Sequence, residues 1–547
     1  MKLKFIALAI FLISILVCSQ TNFEPVTDLN IYEFLNRMSI EGLISFKDEI
    51  RPLPKKEIAE KLVELEKESS KLSGPEKGEL QIYTSEFYYD IKKINGDTTR
   101  VEDFLNFNPD NRFNLYSYYN KDFSIKVDPI AGVSYSSGRK TYHDFTGIGF
   151  QGTFTDDWGY YFNYRDNYEQ GNDLNRKKLF TPETGVIISK GGKDYIEYSE
   201  VRGGLTYNWK WGDITMAKDF INIGSSYNSQ VILSSNAPSF PFIRLDIHPI
   251  RWLRFTYFHG WLNSGLIDSS TIRLSGIDFP PRKYTYQSRD KFIVSHMLSF
   301  DIKNRFTFSI GESMIYGDKL QVLYLMPIMF YRLADHYLSK DGSYSSGNAS
   351  IFLNANYKVP EIKSQFYGTL YIDEMSPSKF FNKNGGQYQT FGFQVGGVFV
   401  DPLWKNSSIN LEYTAIDPYA YKNADTLEQY SSENYQLGDW IGSNADQILI
   451  SIEQNITGRF KLNASYEYIR QGAQENRNNF PIHYTHAFLY GGTSYYANTD
   501  IKLQYIPVDN FYVELEYMRI LAADGRFKQE YGINYKNDLS FAIHYGM

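Results

Sequence analysis

A short stretch of aromatic, acidic and amide residues suggests sugar-binding chemistry. It contains Tyr435, Asp439, Trp440, Asn444 and Asp446. An aromatic ring can cover the apolar C–H face of a sugar, and nearby carboxylate and amide groups can bond its hydroxyls. The alternative interpretation is a loop that folds onto itself or into a larger structure. We take these five residues as the first part of a candidate ligand-binding set.

A second group of the same character lies earlier in the chain. Glu312 precedes an aromatic segment that ends at Tyr331 and Arg332. A carboxylate, a phenol and a guanidinium could bond the hydroxyl or acidic groups of a saccharide. Packing of a wall against a loop explains the same residues equally simply. They complete the candidate ligand-binding set.

The sequence offers no convincing catalytic or metal-binding residues. Of the eight histidines, His483 and His486 could bind a metal, but no carboxylate or cysteine accompanies them at a usual ligand spacing. The neighbours Asp335 and His336 fit ordinary loop hydrogen bonding better than acid–base catalysis. The Gly-x-Ser-x-Gly motif of serine hydrolases does not occur. We therefore predict no enzyme, no metal and no cofactor.

Two carboxylates form a further catalytic candidate, because paired acids can hydrolyse glycosides. Glu514 and Glu516 are two residues apart on a predicted strand, so their side chains point to the same face. Acidic residues are also normal on the water-facing side of a wide barrel. We favour this second interpretation.

Composition narrows the class of protein. The 547 residues include 46 Tyr, 39 Phe and 7 Trp, which is 17% aromatic, with 22% charged residues and a mean hydropathy of -0.40. This polarity excludes a bundle of membrane-spanning helices, and the aromatic content excludes a disordered chain. The net charge is -7 without a basic stripe, which argues against nucleic acid as a partner. One large β-barrel has this composition.

Residues 1–19 have the pattern of a secretory signal peptide. Lys2 and Lys4 precede an apolar run from 5 to 17, and cleavage fits after Ser19. The alternative is lipidation at Cys18, but the Val before it is larger than the usual residue. Cys18 is the single cysteine, so the processed chain is expected to contain no disulfide. The signal predicts export from the cytoplasm.

Residues 20–111 have the apolar spacing of short amphipathic helices. The first is predicted to begin after Asp28 and to end at Gly42. Ser73 and Glu76 form a capping box for the third. Three such helices bury only a small core. We therefore predict a helical bundle that docks against, or plugs, a larger structure.

From residue 112 to 547 the apolar period changes to two, as in β-strands. Short turns alternate with long polar links, at 168–199, 219–239, 262–290, 331–346, 373–387, 417–446 and 471–494. This is the wiring of an outer-membrane barrel, with short periplasmic turns and long external loops. We predict an all-β transmembrane barrel of about 18 antiparallel strands, since these barrels have even numbers. The segment 539–545 decides the count.

Three stretches of the chain resemble the capsule-assembly outer-membrane lectins of the Wzi type. They run from Asp28-Leu29 to Glu57-Ile58, from Asp219-Phe220 to Pro238, and from Tyr435 to Gly442 with Asp446-Gln447 following. One departure is that Ile221-Asn222-Ile223-Gly224 replaces a Trp-Gly pair of the family, which puts any role of that Trp in doubt.

The resemblance implies a barrel of about 18 strands with a periplasmic helical bundle. It implies a role in attaching or organising a polysaccharide at the cell surface. We therefore expect a monomeric, non-catalytic outer-membrane protein whose partners are capsule or exopolysaccharide and outer-membrane lipid. The alternative is a porin-like channel for small solutes or saccharides.

Overall fold

The protein is described here by a computed structural model of the full chain. It describes residues 22–106, 114–155, 157–274, 284–340, 347–374, 390–474, 487–508, 510–524, 527–528, 531 and 533–546. The predicted signal peptide with Cys18, the domain boundary at 111 and the pair His483 and His486 lie outside these residues. Those three interpretations stay predictions.

Eighteen antiparallel strands close into a barrel, which confirms the predicted fold class. The last strand closes the ring, with Ser540 opposite Ser136 and Tyr545 opposite Ala131. The doubtful segment 539–545 is thus part of the wall. The wall strands are Phe123–Ser136, Thr141–Phe154, Trp158–Gly171, Tyr195–Trp209, Gly212–Asp219, Phe240–Ile250, Leu253–Leu274, Tyr284–Ile302, Phe306–Gly317, Asn348–Val359, Ser364–Glu374, Thr390–Val400, Ser407–Ile416, Ala445–Asn455, Phe460–Gln471, Ser494–Tyr505, Phe511–Ala523 and Asn537–Tyr545.

The wall exposes apolar side chains and buries polar ones, the reverse of a soluble protein. On the strand Gly212–Asp219, Ile214 and Met216 are 43% and 71% exposed, whereas Asp213 and Thr215 are buried. Successive side chains of a strand point to opposite faces. The outer face is therefore apolar and the lumen is polar, as in a barrel surrounded by lipid.

The two ends of the barrel differ in their connections. One end has short turns, such as 210–211, 303–305 and 456–459, and the other has long loops. The predicted link 262–290 is mostly wrong, because the strands Leu253–Leu274 and Tyr284–Ile302 stay paired as far as Leu274 with Tyr284. Most side chains from 264 to 274 and from 284 to 290 are exposed on both faces, so the alternation that marks a strand is absent there.

In the described part of the chain, four α-helices precede the wall: Leu29–Ile40, Lys55–Lys67, Gly74–Glu86 and Tyr88–Ile94. The predicted capping box is present, because Ser73 N–H donates to Glu76 Oε2 at 2.7 Å and Glu76 N–H donates to Ser73 Oγ at 3.4 Å. Asp28 precedes the first helix without a side-chain cap bond to it. The predicted third helix is interrupted at Phe87. Among the described residues, no helix is both long and apolar enough to cross a membrane.

A buried cluster of charges joins the helices to the inner face of the wall. Arg37 Nη2 pairs with Glu79 of a neighbouring helix, and Arg37 Nη1 lies 3.2 Å from Glu453 Oε1 on a wall strand. Lys461 on the next strand lies 3.2 Å from Glu79. Because buried charges without partners are costly, each group fixes the position of the others.

Contacts on other parts of the ring also hold the helical bundle, by which we mean residues 22–97. Lys126 lies 2.8 Å from Glu86, and Lys358 Nζ donates to the Phe46 carbonyl at 2.8 Å. A short strand, Val101–Asn106, then pairs with a second one, Asn114–Tyr119, and this second strand pairs with the beginning of the first wall strand. The bundle therefore sits in the lumen at the short-turn end.

We expect Gly78→Ala to loosen the bundle. A Cβ at Gly78 would lie 2.9 Å from the Gly458 Cα in the turn 456–459, so helix and turn could not approach as they do. Alanine should favour an exposed helix by about 1 kcal/mol, but overpacking here should cost about 1–3 kcal/mol. Trypsin should then cleave the helices of the folded barrel faster. Gly74→Ala, where a Cβ would meet nothing within 4 Å, is the control. Equal cleavage of both variants would contradict the prediction.

Candidate binding site in the lumen

Two of the long connections fold into the barrel. Tyr430 Oη donates to the Ile232 carbonyl at 2.8 Å, and Ser234 Oγ donates to the Gly438 carbonyl at 2.6 Å. Leu233 and Leu437 are fully buried between them. We call the residues 220–239 and 417–444 the loop plug. The predicted external link at 417–446 thus folds into the lumen for most of its length, which was the alternative interpretation of the sequence, and its aromatic residues are buried there.

The loop plug meets the helical bundle inside the lumen. Ile50 and Arg51 pair as a short antiparallel strand with Ile223 and Asn222. Arg51 also donates to the Ser226 carbonyl at 2.7 Å. Residues that enter from the long-loop end are thus bonded directly to residues that enter from the short-turn end.

Trp440 lies at the inner side of the loop plug. Its ring is 7% exposed and meets the Phe180 ring edge to face at a centroid distance of 5.1 Å. Its indole Nε1 has no hydrogen-bond partner within the described part of the chain. Buried indole N–H groups usually have a partner. This N–H is itself buried, so a ligand hydroxyl or a water can accept a hydrogen bond from it only after the surrounding side chains shift.

Trp440 borders a cavity of about 590 Å³ in the lumen. Ligand sites commonly have a volume of about 300–1,000 Å³. Helical-bundle residues such as Glu33 form one side, loop residues such as Ser235 form another, and the wall supplies mostly charged groups. The wall residues are Glu453, Lys461, Asn463, Asp500, Lys502, Gln504 and Glu516. Carboxylate, ammonium and amide groups around one indole can bind a polyhydroxylated ligand.

Asp439 lies behind Trp440, inside the loop plug and fully buried. Its Oδ1 accepts a hydrogen bond from the Ile441 N–H at 3.1 Å. Burial raises the pKa of this carboxyl to about 6, because the charged form loses its hydration. Asp439 therefore supports the loop that carries Trp440 and does not border the cavity.

Tyr435 and Asn444 have structural partners. The Tyr435 hydroxyl accepts from the Val186 N–H at 3.1 Å, and its ring lies where a Cβ at Gly185 would be only 2.5 Å away. Asn444 donates to the Ala473 carbonyl and accepts from the Leu489 N–H, both at 2.8 Å. Both residues connect the loop plug to neighbouring loops.

Asp446 points away from the lumen. It shares its face of the strand with Ile448 and Ile450, which are exposed to the outside. It accepts from Arg470 Nε at 2.9 Å and from the Tyr413 hydroxyl at 3.0 Å. The structure therefore separates Asp446 from Trp440, although the two residues are only six positions apart in the sequence.

Glu312, Tyr331 and Arg332 also lie outside the lumen. Glu312 is on the same face as the exposed Ile310, and its carboxylate accepts from the Tyr331 N–H at 2.9 Å and the Arg332 N–H at 2.8 Å. These bonds cap the helix Tyr331–Leu338. The eight predicted ligand residues thus fall in three places, and Trp440 is the one of them that borders the cavity.

Sequence reasoning missed the charged wall of the cavity except for Glu516. The signal was available, because Asp500, Lys502 and Gln504 alternate with apolar residues, as do Lys461 and Asn463. The sequence does not show which of the lumen-facing positions the helical bundle covers and which remain open to the cavity. Among the described residues, no group of three or more His, Cys, Asp and Glu side chains could hold a metal.

The comparisons with known proteins identify the fold only. No protein-family model matches the sequence, and no curated protein matches it. The chain is similar to the solved structure of Wzi, an outer membrane protein involved in group 1 capsule assembly in Escherichia coli and a carbohydrate-binding β-barrel. The TM-score is 0.57 at 12% identity, covering 97% of this chain and 100% of Wzi. The chain therefore shares the fold of an outer-membrane barrel.

Two further solved structures show weaker similarity. The outer membrane protein OprD of Pseudomonas aeruginosa matches with a TM-score of 0.42 at 11% identity, over 78% of this chain and 94% of OprD. OccAB1 of Acinetobacter baumannii matches with a TM-score of 0.44 at 11% identity, over 78% of this chain and 95% of OccAB1.

Asp439→Asn should stabilise the protein at neutral pH and leave it unchanged at pH 4. The raised pKa means that the folded state holds this proton while the unfolded state releases it, so stability falls as pH rises from about 4 to 6. Asparagine keeps the acceptor for Ile441 and removes the buried charge. The gain at pH 7 should reach about 2–3 kcal/mol. The difference in Tm between variant and wild type, measured from pH 4 to 7, checks this. A difference independent of pH would contradict it.

Proposed function

We propose that the protein is an outer-membrane barrel of the Wzi type that binds surface polysaccharide in its lumen and catalyses no reaction. The observation that carries the proposal is the cavity beside Trp440, which has an unbonded indole N–H and a polar, charged wall. This combination offers one apolar surface and many hydrogen-bonding groups, as a sugar chain requires. The similarity to Wzi, itself a carbohydrate-binding barrel, supports the same conclusion.

The orientation follows from the connections. We place the short turns in the periplasm and the long loops outside the cell, because outer-membrane barrels are wired in this way. The helical bundle, residues 22–97, then enters from the periplasm after removal of the predicted signal peptide, residues 1–19. The loop plug enters from the outside. A polysaccharide would reach Trp440 from the outer side, past the exposed Pro182 and Glu183 that also border the cavity.

The eight residues predicted from the sequence have different parts in this proposal. Trp440 contacts the ligand, and Asp439, Tyr435 and Asn444 hold the loop that carries it. Asp446, with Glu312, Tyr331 and Arg332, stabilises the outer wall. Glu516, Asp500 and Lys502 join the ligand-contacting group because they border the same cavity.

We expect Trp440→Phe to weaken polysaccharide binding. Phenylalanine can keep an edge-to-face contact with Phe180 but lacks the indole N–H. The lost hydrogen bond and reduced ring area should cost about 1–2 kcal/mol, or roughly a ten-fold higher Kd. Titration calorimetry of the purified barrel with polysaccharide from the native cell measures the change. Trp261→Phe, a tryptophan 36% exposed on the outer wall, is the matched control. Unchanged affinity in Trp440→Phe would remove this cavity as the binding site.

The porin-like alternative is distinguished by conductance. A barrel of this width leaves a water-filled channel unless it is blocked. Here the helical bundle and the loop plug occupy the lumen and are bonded through Ile50 and Arg51. We therefore expect single-channel recordings of the intact protein to show far smaller conductance than an open barrel of equal strand number. A steady, large conductance would favour the channel.

A further inference from the structure

The segment 318–340, which we call the flap, has its apolar side chains on the surface. Ile328 is 82% exposed, Tyr337 76%, Val322 75% and Leu333 69%. In contrast, Asp335 is buried, where it accepts from the Gly347 N–H at 2.7 Å. A loop in water usually exposes its polar residues and buries its apolar ones. The flap instead exposes eight large apolar side chains beside five polar ones, which are Asp318, Lys319, Arg332, His336 and Lys340.

The flap rests on the outer face of the wall. Tyr324 and Tyr331 are fully buried, and the Tyr324 ring lies 4.7 Å from the ring of Tyr316 on the strand Phe306–Gly317. Tyr316 shares its strand face with Ile310, which is 42% exposed to the outside. The flap therefore covers the wall from the side that faces lipid.

The covered part of the wall lies within the span of the membrane. The strand Phe306–Gly317 has 12 residues, close to the length of about 9–11 that crosses a bilayer. Glu312 and Tyr316 lie in the half nearer the long loops. Met216, a wall residue on another strand, is 71% exposed on the same outer face. The flap and the wall thus both expose apolar side chains on the outside of the barrel.

Several polar groups beneath the flap are bonded to one another, whereas the Tyr331 hydroxyl and His259 Nδ1 have no hydrogen-bond partner within the described residues. Glu312 accepts from two backbone N–H groups of the flap, as described above. His259 and the Tyr316 hydroxyl are 2.7 Å apart, and the Tyr324 hydroxyl donates to Asp335 at 3.2 Å. In hydrocarbon an unpaired polar group costs several kcal/mol, so the hydrogen bonds that are present lower the free energy of placing this segment in lipid.

We propose that the flap is a membrane-bound element that lies in the outer leaflet and contacts lipid acyl chains through Val322, Ile328, Leu333 and Tyr337. The inference rests on the proposed outer-membrane location. The exposed Arg332, on the same short helix, sets the depth: its long side chain reaches towards the headgroups while its stem stays among apolar groups. The partner is thus a lipid surface, not a second protein.

Spin labelling tests the proposal with the full chain. Single cysteines at Ile328→Cys and Leu333→Cys, each in a Cys18→Ser background, are labelled with a nitroxide in purified protein reconstituted into liposomes. Collision rates are measured with oxygen, which concentrates in lipid, and with a nickel chelate, which stays in water. Met216→Cys on the wall and Lys193→Cys on an exposed part of a long loop are the lipid and water controls.

The flap labels should resemble Met216→Cys, with an oxygen-to-nickel ratio several-fold above that of Lys193→Cys. A ratio equal to that of Lys193→Cys, with Met216→Cys still in lipid, would overturn the proposal and point to a protein partner for the flap. A water-like ratio at Met216→Cys would instead overturn the membrane location on which both proposals rest.

Discussion

Backbone hydrogen bonding in hydrocarbon is the constraint on which the whole structure depends. Lipid cannot bond an unpaired N–H or carbonyl, so the sheet must close, and it does so between the strands Phe123–Ser136 and Asn537–Tyr545. Closure with eighteen strands fixes a wide ring. The remaining segments of the molecule are arranged by the need to fill that ring.

The lumen is filled with charged groups as well as with apolar ones. Arg244 illustrates this: it lies 2.6 Å from Asp246 and donates to the Pro52 carbonyl at 2.9 Å, so one guanidinium joins wall and helical bundle. Buried ion pairs add little net stability because desolvation offsets their attraction. Such pairs instead fix the relative positions of the segments that carry them, because a buried charge is tolerated only beside a partner. The apolar packing of the loop plug, with Leu233 and Leu437, supplies the complementary hydrophobic stabilisation.

The sequence predicted those parts of the structure that repeat. The period of two, the alternating connection lengths and the capping box at Ser73 are local signals, and each was confirmed. Contacts between distant segments left no comparable signal. The segment 417–446 has the composition of a polar and aromatic loop, and this composition does not reveal whether its rings face water or the lumen. Nor does the sequence show that Asp439 lies inside the lumen whereas Asp446 faces the outside of the barrel. The sequence also does not predict that Ile328 and Leu333 are exposed, because an apolar loop residue is normally expected to be buried.

The charge cluster around Arg37 has a consequence for the order of assembly. Arg37 belongs to the first helix, yet its partner Glu453 is 416 residues further along the chain. Contacts across such separations form late, because the intervening chain must first lose its conformational freedom. The earliest part of the chain therefore reaches its final position only after nearly all of the wall has assembled. Until then the charged side chains of the helical bundle must remain hydrated or pair with one another. The wall therefore assembles first, and the bundle docks into it last.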